Sequence, residues 1–533
     1  MTRALAIALV AVALTGCASR LAAAGAAAPT DDDAAIVHAL SRLGFGPRPG
    51  DVERVKAIGL SAWIERQLDP ARIDDHAAMQ TISVLPTLTM TTAQLQREYP
   101  RPDPRQKSAD PQMAPRELFQ PAPEKRPIRI VAELQAARIM LAVESERQLQ
   151  EVMVDFWFNH FNVHTAKGEV KWYLTSYERD VIRPHALGKF GDLLRGTATH
   201  PAMLFYLDNW LSARPDFTVP VGPNRGKRAG LNENYARELM ELHTLGVDGG
   251  YTQKDVTEVA RAFTGWTIDR PRDDARFVFR PLTHDRGEKT VLGTRLPTGG
   301  GREDGERVLD LLLRHPSTAT FIATKLVRRF VADEPPPALV ERVAATFRRT
   351  EGDVKAMLRT ILASPEFWAP EARGAKIKKP FEYVASAVRA VDGHVADPRA
   401  GFLLVRSAAE MGEGLYGAPP PTGYPDRAEA WVNAGALLAR MNFALALTQG
   451  RLPGVTLDLS PLAVDRAAPD AALERLLASL LHGAASAQTR AVLVAQLASP
   501  EIRRQTPDDR GPANTDVEKL AALVIGSPEF QRR

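Results

Sequence analysis

Two glutamates on one predicted helix are the residues of this sequence whose type and spacing best suit chemistry. Residues 232–266 read as two helices joined by a glycine-rich turn, and Glu238 and Glu241 lie on the polar face of the first helix. Paired carboxylates can serve as a general acid and a general base when burial raises the pKa of one of them. The alternative is a solvated face on which Arg237 pairs with Glu241.

Three residues elsewhere in the sequence could join these glutamates in one pocket. His160 ends an aromatic run, and His284 and Asp285 lie in a polar loop that contains glycine. Two imidazoles with two or three carboxylates would suit a divalent metal such as Zn²⁺, Mn²⁺ or Fe²⁺. His160 and His284 are therefore the candidate metal ligands, and Asp285 joins the glutamates as a candidate catalytic residue. The alternative for His160 is a hydrogen-bonded histidine in the core.

Three further polar residues are candidates for ligand binding. Asn232 and Asn234 precede the glutamates and would orient a substrate hydroxyl or hold a carboxylate. Lys289 lies in the same loop as His284. The alternative for this loop is a turn capped by Asp285, with Lys289 as a surface lysine.

Helices are expected to position all of these residues. Apolar residues recur at helical spacing along most of the chain, including residues 128–161, where one long helix is expected. His160 and His164 are four residues apart, so on a helix both would lie on the same face. The fold class is therefore mainly α, a multi-helix array. A small β element is expected near residues 277–292, where two short strands would pair with each other.

Capping signals support this helical interpretation. Thr252 and Asp255 form a near capping box at the start of the second helix of residues 232–266. A buried stripe follows on that helix, formed by Val256, Val259, Ala260 and Phe263. The tripeptide Ser-Pro-Glu recurs, and each copy is expected to close one helix and to supply the cap and first turn of the next: 364–366, 499–501 and 527–529.

Composition excludes several classes of function. The chain of 533 residues is 44% hydrophobic and 25% charged, as in ordinary soluble globular proteins. Its formal charge of +4 is small and its arginines are dispersed, so nucleic acid is not an expected partner. The sequence contains no Walker or Rossmann glycine pattern, no Cys-x-x-Cys-His haem motif and no Gly-x-Ser-x-Gly nucleophile motif.

The N-terminus predicts export and a lipid anchor. A basic start precedes an apolar run over residues 4–14, which is too short to span a bilayer. The run ends in Leu14-Thr15-Gly16-Cys17, which resembles a bacterial lipobox. Cleavage would make Cys17, the only cysteine, the first residue, and it would carry the lipid with acyl chains such as palmitate. The alternative is an ordinary secretory signal with a chance cysteine.

These features predict a domain organisation and a location. Residues 1–16 are the expected lipoprotein signal peptide and 17–34 the tether. Residues 35–450 form a helical core with a proline-rich insertion at 99–127, and 451–533 form a C-terminal helical extension. Because alanine rather than aspartate follows the cysteine, resemblance to known lipoproteins implies the outer membrane, facing the periplasm or the cell surface.

Several segments besides residues 232–266 carry a resemblance to a known family: His38-Ala-Leu-Ser-Arg-Leu-Gly-Phe-Gly46, Phe156-Trp-Phe-Asn-His-Phe161, Pro201-Ala-Met-Leu-Phe-Tyr-Leu-Asp-Asn209, His284-Asp285 with Lys289 and Leu292-Gly293, and Gly423-Tyr424-Pro425 before Trp431. Together they resemble one bacterial family, the domain of unknown function 1800 (DUF1800). The resemblance covers about residues 35–449. It implies an exported, predominantly helical bacterial protein of no established activity. Members are often encoded beside a second exported family, which implies a protein partner. Glu413-Gly414 departs from the family, where Gln-Pro is common, and puts in doubt a role for that loop.

Three hypotheses for function follow. The first is a lipid-anchored cell-envelope protein that binds a protein partner or an envelope polymer through a polar pocket around Glu238. The second is a hydrolase of polysaccharide or peptidoglycan that uses a metal or the paired carboxylates. The third is a structural scaffold. The cofactor is unknown from the sequence, with a divalent metal as the candidate.

Overall fold

The computed structural model describes residues 31–101, 123–220, 225–395, 397–462, 467–497, 499, 503–504 and 514–533. The predicted signal peptide, Cys17 and most of the tether lie outside these residues. So do residues 102–122 of the proline-rich insertion and nearly all of the Ser-Pro-Glu copy at 499–501.

Helices dominate the described part of the chain, which confirms the predicted fold class. The N-terminal helices are α1 (Asp33–Arg42), α2 (Asp51–Ile58), α3 (Leu60–Leu68), α4 (His76–Ile82) and α5 (Thr92–Glu98). They are followed by α6 (Ile128–Glu144), α7 (Gln148–His160), α8 (Val170–Ser176), α9 (Arg183–His185), α10 (Phe190–Thr199) and α11 (Pro201–Tyr206). A π-helical segment, Tyr177–Ile182, joins α8 to α9.

The sequence predicts a single helix over residues 128–161, but the structure has two helices there, α6 and α7. Extended backbone at Ser145 ends α6. The Asp75 carboxylate fixes the break, because it accepts hydrogen bonds from Ser145 Oγ and Glu146 N, both at 2.9 Å. Since α7 ends at His160, His164 lies beyond the helix and the predicted shared face of the two histidines is wrong.

The first helix of residues 232–266, which we call the motif helix, is interrupted by a π-helical turn. Regular helix α12 (Asn234–Glu238) continues as the π-helical segment Leu239–Thr244. The wider turn is visible in the bond from Leu245 N to Met240 O at 2.7 Å, which spans five residues. Gly246 and Gly250 then adopt positive φ angles of 84° and reverse the chain.

Helix α13 (Gln253–Ala262) begins as predicted. Thr252 and Asp255 form a reciprocal capping box. The predicted stripe is fully buried, with 0% exposure at each of Val256, Val259, Ala260 and Phe263.

Strands occur where they were expected, but the predicted pairing is wrong. Strand β1 (Trp266–Asp269) pairs with β2 (Arg276–Phe279), and β3 (Lys289–Val291) pairs with β4 (Thr294–Leu296), all antiparallel. Leu292 and Gly293 both have positive φ, 49° and 77°, which suits a two-residue hairpin turn. This turn closes β3 onto its sequence neighbour, so residues 277–279 and 290–292 belong to different hairpins.

The rest of the chain returns to helices. These are α14 (Glu303–Arg314), α15 (Pro316–Phe330), α16 (Pro337–Thr350), α17 (Val354–Leu362), α18 (Pro365–Trp368), α19 (Pro380–Ala390), α20 (Pro398–Glu410), α21 (Ala434–Thr448), α22 (Pro469–Leu481), α23 (Ala487–Leu497) and α24 (Val517–Ile525). Two short strand pairs accompany them: β5 (His394–Val395) with β6 (Val455–Thr456), and β7 (Arg503–Arg504) with β8 (Asn514–Thr515).

Helix α6 lies at the centre of the molecule. It packs against α4, α8, α19 and α20, and its buried residues occur on all sides. The last helix, α24, packs on α21 and α22, and its apolar residues belong to the same hydrophobic cluster. Ser364 accepts a hydrogen bond from Phe367 N at 3.3 Å and is the N-cap of α18, which confirms the predicted Ser-Pro-Glu cap at this copy. Ser527 accepts one from Phe530 N at 3.4 Å, but turns follow it, so the helix predicted after this copy is wrong. Within the described ranges no helix is long and apolar enough to cross a membrane.

Candidate functional site

The two glutamates of the motif helix lie on its partly exposed side. Burial raises the pKa of Glu238, Glu241 acts in the same direction, and Arg237 opposes them. The Tyr251 hydroxyl donates to Glu241 Oε2 at 3.1 Å. Arg237 instead donates to Gln253 at 2.7 Å, so its predicted pairing with Glu241 is not observed. We call Glu238 and Glu241 the glutamate face.

The two asparagines stabilise the start of the motif helix. Asn232 Nδ2 donates to the Asp208 carbonyl at 3.0 Å, and its Oδ1 accepts from Asn234 N at 2.8 Å. Asn234 itself is exposed. Their contacts therefore connect this segment to the loop after α11.

The His284 loop is a buried cluster of its own. His284 Nδ1 donates to the Thr264 carbonyl at 2.8 Å, and Nε2 lies 3.4 Å from Asp304 Oδ2. Lys289 Nζ donates to the same Asp304 oxygen at 2.8 Å, and its side chain is fully buried. Asp285 accepts from Arg261 at 2.8 Å. The alternative of a surface lysine is therefore wrong, because Lys289, the first residue of β3, forms an interior ion pair with Asp304 of α14.

His160 lies in a third environment. Its Nε2 donates to the His243 carbonyl at 3.1 Å, which satisfies a backbone acceptor left at the end of the π-helical turn. Its Nδ1 accepts from Lys325 Nζ at 2.9 Å. Burial, followed by Lys325, lowers the pKa of His160 well below the ordinary value, so the ring is neutral. The interpretation as a hydrogen-bonded interior histidine agrees with these contacts.

The five residues of the predicted pocket are not joined by their contacts. The glutamate face, the His284 loop and His160 each have their own partners, and both ring nitrogens of the two histidines are engaged. In the part of the chain that the structure describes, no group of three or more His, Cys, Asp or Glu side chains is placed to hold a metal ion. The metal and catalytic assignments to these residues stay predictions.

A cavity of about 210 Å³ beside His160 brings several sequence motifs together instead. We call it the His160 cavity. Its wall is formed by the end of α7, one face of α15, Lys379 before α19, and the loop that carries Gly423-Tyr424-Pro425. Its lining residues are Asp155, Phe156, Asn159, His160, Lys325, Arg328, Arg329, Lys379, Thr422, Tyr424, Pro425, Asp426 and Arg427.

Asn159 connects two of the sequence motifs, the aromatic run at 156–161 and the loop at 423–425. Its Nδ2 donates to the Tyr424 carbonyl at 2.8 Å, and its Oδ1 accepts from Tyr424 N at 2.7 Å. A Cβ at Gly423, where φ is +69°, would lie 2.4 Å from the Asn159 carbonyl oxygen. Only glycine allows this close approach, so Phe156-Trp-Phe-Asn-His-Phe161 and Gly423-Tyr424-Pro425 form one structural unit.

The chain belongs to the DUF1800 family. The family model, described as a protein of unknown function, matches residues 38–532. The match continues well past residue 449, where the resemblance read from the motifs ended, and it includes the last helices. No curated protein and no solved structure matched the chain.

The cations around the cavity of this DUF1800 protein fall into two groups. Lys379 Nζ is 2.9 Å from Asp155 Oδ2, and Arg329 forms a buried ion pair with Glu382. Lys325 and Arg328 lie three residues apart on α15 and, among the described residues, have no carboxylate within ion-pair distance. Lys325 contacts the neutral His160 ring, and Arg328 Nε donates to the Asp333 carbonyl at 3.1 Å. We call Lys325 and Arg328 the α15 cations.

The α15 cations make the cavity favourable for negative charge. Burial, followed by Arg328, lowers the pKa of Lys325 to about 8, with Asp426 acting in the opposite direction. Lys325 is therefore mainly protonated at neutral pH, in a partly buried position beside a second cation. A bound anion would relieve this repulsion and supply charge-assisted hydrogen bonds.

Glu413, the departure from the family pattern, contacts Lys379, which lines the His160 cavity, but does not line it itself. Its Oε1 lies 3.3 Å from Lys379 Nζ, and its Oε2 accepts from Phe381 N at 2.8 Å. Burial raises the pKa of Glu413, while Lys379 opposes this effect. The loop is also held by Tyr424, whose hydroxyl donates to the Gly414 carbonyl at 3.0 Å. These contacts anchor the loop to α19 and to Tyr424, and they leave open the predicted doubt about a functional role for it.

Sequence reasoning missed the α15 cations because basic residues at helical spacing are typical of any solvated helix face. Only the two motifs that meet at Asn159 and Gly423 could have indicated the cavity. Their contact joins residues that are 264 positions apart in the chain, which no local pattern reveals.

Proposed function

We propose that this protein is a lipid-anchored component of the bacterial cell envelope that binds an anionic group of an envelope polymer in the His160 cavity. The observation that carries the proposal is the pair of α15 cations, which face the cavity while the neighbouring Lys379 and Arg329 are already in ion pairs. A carboxylate or phosphate entering there would meet two positive charges.

The size of the cavity favours a single charged group over a folded segment. Its volume of about 210 Å³ is below the roughly 300–1,000 Å³ of most small-molecule sites. A polymer can insert one anionic substituent while its backbone remains outside. An exported protein partner would have to present one isolated acidic side chain to the same cations.

Binding is tested with insoluble peptidoglycan, which carries free carboxylates. The purified full-length protein is sedimented with it, and the bound fraction is measured against polymer concentration. We expect Lys325→Met and Arg328→Gln each to weaken binding about tenfold, which corresponds to about 1.4 kcal/mol for one charge-assisted contact. Amidation of the peptidoglycan carboxylates should have the same effect on the wild-type protein.

The matched control is Arg348→Gln. It also removes one positive charge, but Arg348 is an exposed residue of α16 that pairs with Glu341 at 2.7 Å. This variant should bind as the wild type does. Equal binding by Lys325→Met and the wild type, or by amidated and native peptidoglycan, would contradict the proposed site.

The location rests on the lipobox at Cys17. Cys17→Ser should move the protein from the membrane fraction to the soluble fraction and leave a precursor that retains residues 1–16. A wild-type protein that is already soluble and carries no lipid would contradict the anchor without affecting the cavity.

A second function is favoured by the glutamate face. Glu238 has a raised pKa and neighbours a second carboxylate on a π-helical turn, and such turns are frequent at functional sites. The protein would then hydrolyse envelope polysaccharide, with Glu238 as the general acid. Reducing-sugar release by the wild type should be abolished in Glu238→Gln and kept in Glu233→Gln, whose side chain bonds to Thr257. Activity that survives in Glu238→Gln would exclude this mechanism.

A further inference from the structure

A second cavity lies between α1, α19, α22 and the chain after α24. Its volume is about 340 Å³. His38 and Ser386 line it, and Gly46 lies behind Ser386, since a Cβ at Gly46 would be 3.0 Å from Ser386 Oγ. The first sequence motif, His38-Ala-Leu-Ser-Arg-Leu-Gly-Phe-Gly46, therefore borders this cavity, which we call the His38 cavity. The proposed function makes no use of it.

A buried lysine is the main polar group of the His38 cavity. Lys378 Nζ donates to Ser386 Oγ at 2.7 Å and lies 4.0 Å from the centre of the Phe530 ring. Among the described residues Lys378 has no carboxylate within ion-pair distance, and Ser386 donates no hydrogen bond to a described acceptor. Two ammonium hydrogens and the serine hydroxyl are thus available to an acceptor from outside the chain.

The surrounding charges also favour an anion. Four cations line the cavity, Arg373, Lys378, Arg532 and Arg533, against a single carboxylate side chain, Glu529. Arg533 is buried and already pairs with Glu382, whose Oε2 lies 3.1 Å from its Nε. Burial lowers the pKa of Lys378 to about 7, with Glu382 opposing this effect and Arg440 and Arg533 adding to it. Burial, followed by the charge of Lys378, lowers the pKa of His482, the residue after α22. A buried lysine without a carboxylate partner is costly in its charged form, and a bound counter-ion would offset that cost.

The remaining wall of the cavity is apolar. Leu480 and Leu481 at the end of α22 line it together with Phe530 and Ala390. A small hydrophilic anion would leave this surface in contact with water, whereas an aliphatic chain would cover it. The ligand therefore needs a negative head and a hydrocarbon body.

We propose that the His38 cavity binds a single-chain organic carboxylate, with its head at Lys378 and Ser386 and its aliphatic chain along Phe530 and the leucines of α22. His38 contributes an acceptor at the head. Its Nε2 donates to the Phe367 carbonyl at 2.9 Å, which leaves Nδ1 as a buried acceptor that contacts no described donor. A hydroxyl near the carboxylate of the ligand would satisfy it.

The test is calorimetric titration of the purified full-length protein with octanoate. Octanoate should bind, while octanol, which lacks the charge, and acetate, which lacks the chain, should each bind at least tenfold more weakly. Lys378→Met should weaken octanoate binding at least tenfold, and Ser386→Ala should weaken it severalfold. Lys254→Met, which removes a charge at an exposed position of α13, should leave it unchanged.

The outcomes separate this site from the His160 cavity. Lys325→Met should keep octanoate binding, and Lys378→Met should keep binding to peptidoglycan. Octanoate that fails to bind, that binds Ser386→Ala and Lys378→Met as tightly as the wild type, or that is matched by octanol would overturn the proposal. None of these results would bear on the binding of peptidoglycan.

Discussion

The two cavities of this protein present similar charges in different walls. In the His160 cavity Lys325 contacts a neutral imidazole, and most of the lining residues are polar or charged. In the His38 cavity Lys378 contacts a hydroxyl and an aromatic ring, and leucines complete the wall. In the two proposals, the buried lysine would select the charge of the ligand, and the residues around it would select the rest of the ligand.

Two carboxylates link the two cavities: Asp426, which lines the His160 cavity and lies 3.9 Å from Arg533 Nη2, and Glu382. Glu382 on α19 pairs with Arg329, which lines the His160 cavity, and with Arg533, which lines the His38 cavity, the latter at 3.1 Å. The adjacent residues Lys378 and Lys379 line opposite cavities. The cavities are therefore separate in lining but share one buried ion-pair network.

The largest effect should come from Glu382→Gln. Removing this carboxylate leaves two buried arginines without their shared partner, so the free energy of unfolding should fall by about 3–5 kcal/mol. Urea unfolding measures the change. The control Glu341→Gln breaks an exposed pair and should change stability by less than about 0.5 kcal/mol. Similar stabilities for the two variants would show that the cavities do not share a network.

Gly423→Ala should disturb the His160 cavity alone. The new Cβ would lie 2.4 Å from the Asn159 carbonyl oxygen and force a positive φ on alanine, at a cost of about 2–3 kcal/mol. Gly50→Ala also has positive φ, but nothing lies within 4 Å of its Cβ, so about 1 kcal/mol is expected. Octanoate should still bind Gly423→Ala, and peptidoglycan binding should be lost. Loss of both octanoate binding and peptidoglycan binding in Gly423→Ala would contradict two independent sites.

The effects of Lys378 and Lys325 on stability should change with pH in the same direction but over different pH ranges. The pKa of Lys378 is about 7 in the folded protein and 10.5 in the unfolded chain, so the folded state binds fewer protons between these values. Wild-type stability should therefore rise through this range as the buried charge is lost. Lys378→Met should be about 1–2 kcal/mol more stable than the wild type at pH 6, and the difference should vanish near pH 10.5.

Lys325→Met provides the comparison. Because the pKa of Lys325 is about 8, the stability difference of this variant should begin to shrink about one pH unit later. Guanidinium unfolding at a series of pH values measures both curves. Differences that do not change with pH would mean that neither lysine carries a buried charge.

The smallest effect should occur outside both cavities, on the glutamate face. The raised pKa of Glu238 means that its carboxylate is unfavourable in the folded state above the ordinary value of 4.5. Glu238→Gln should therefore raise the melting temperature by about 1–2 °C at pH 7, and the gain should disappear below pH 4.5. An unchanged melting temperature at both pH values would indicate a fully solvated glutamate.

The sequence predicted the features that depend on neighbouring residues. Helical periodicity predicted the mainly α fold, and local hydrogen-bonding groups predicted the capping box at Thr252 and the Ser-Pro-Glu cap at Ser364. It failed locally where a distant group intervened, as at residues 145–147, where Asp75 divides one expected helix into two.

The candidate site depended on the tertiary structure. Glu238, His160 and His284 all lie within the family motifs of the sequence, yet each contacts a different part of the fold. The α15 cations and Lys378 belong to no motif and become notable only because the fold buries them beside cavities. The sequence by itself thus determined which segments are helical and which pairs cap them, since those interactions span a few residues. Only the tertiary structure decided which charges are buried together, because burial and pairing depend on contacts between segments hundreds of residues apart.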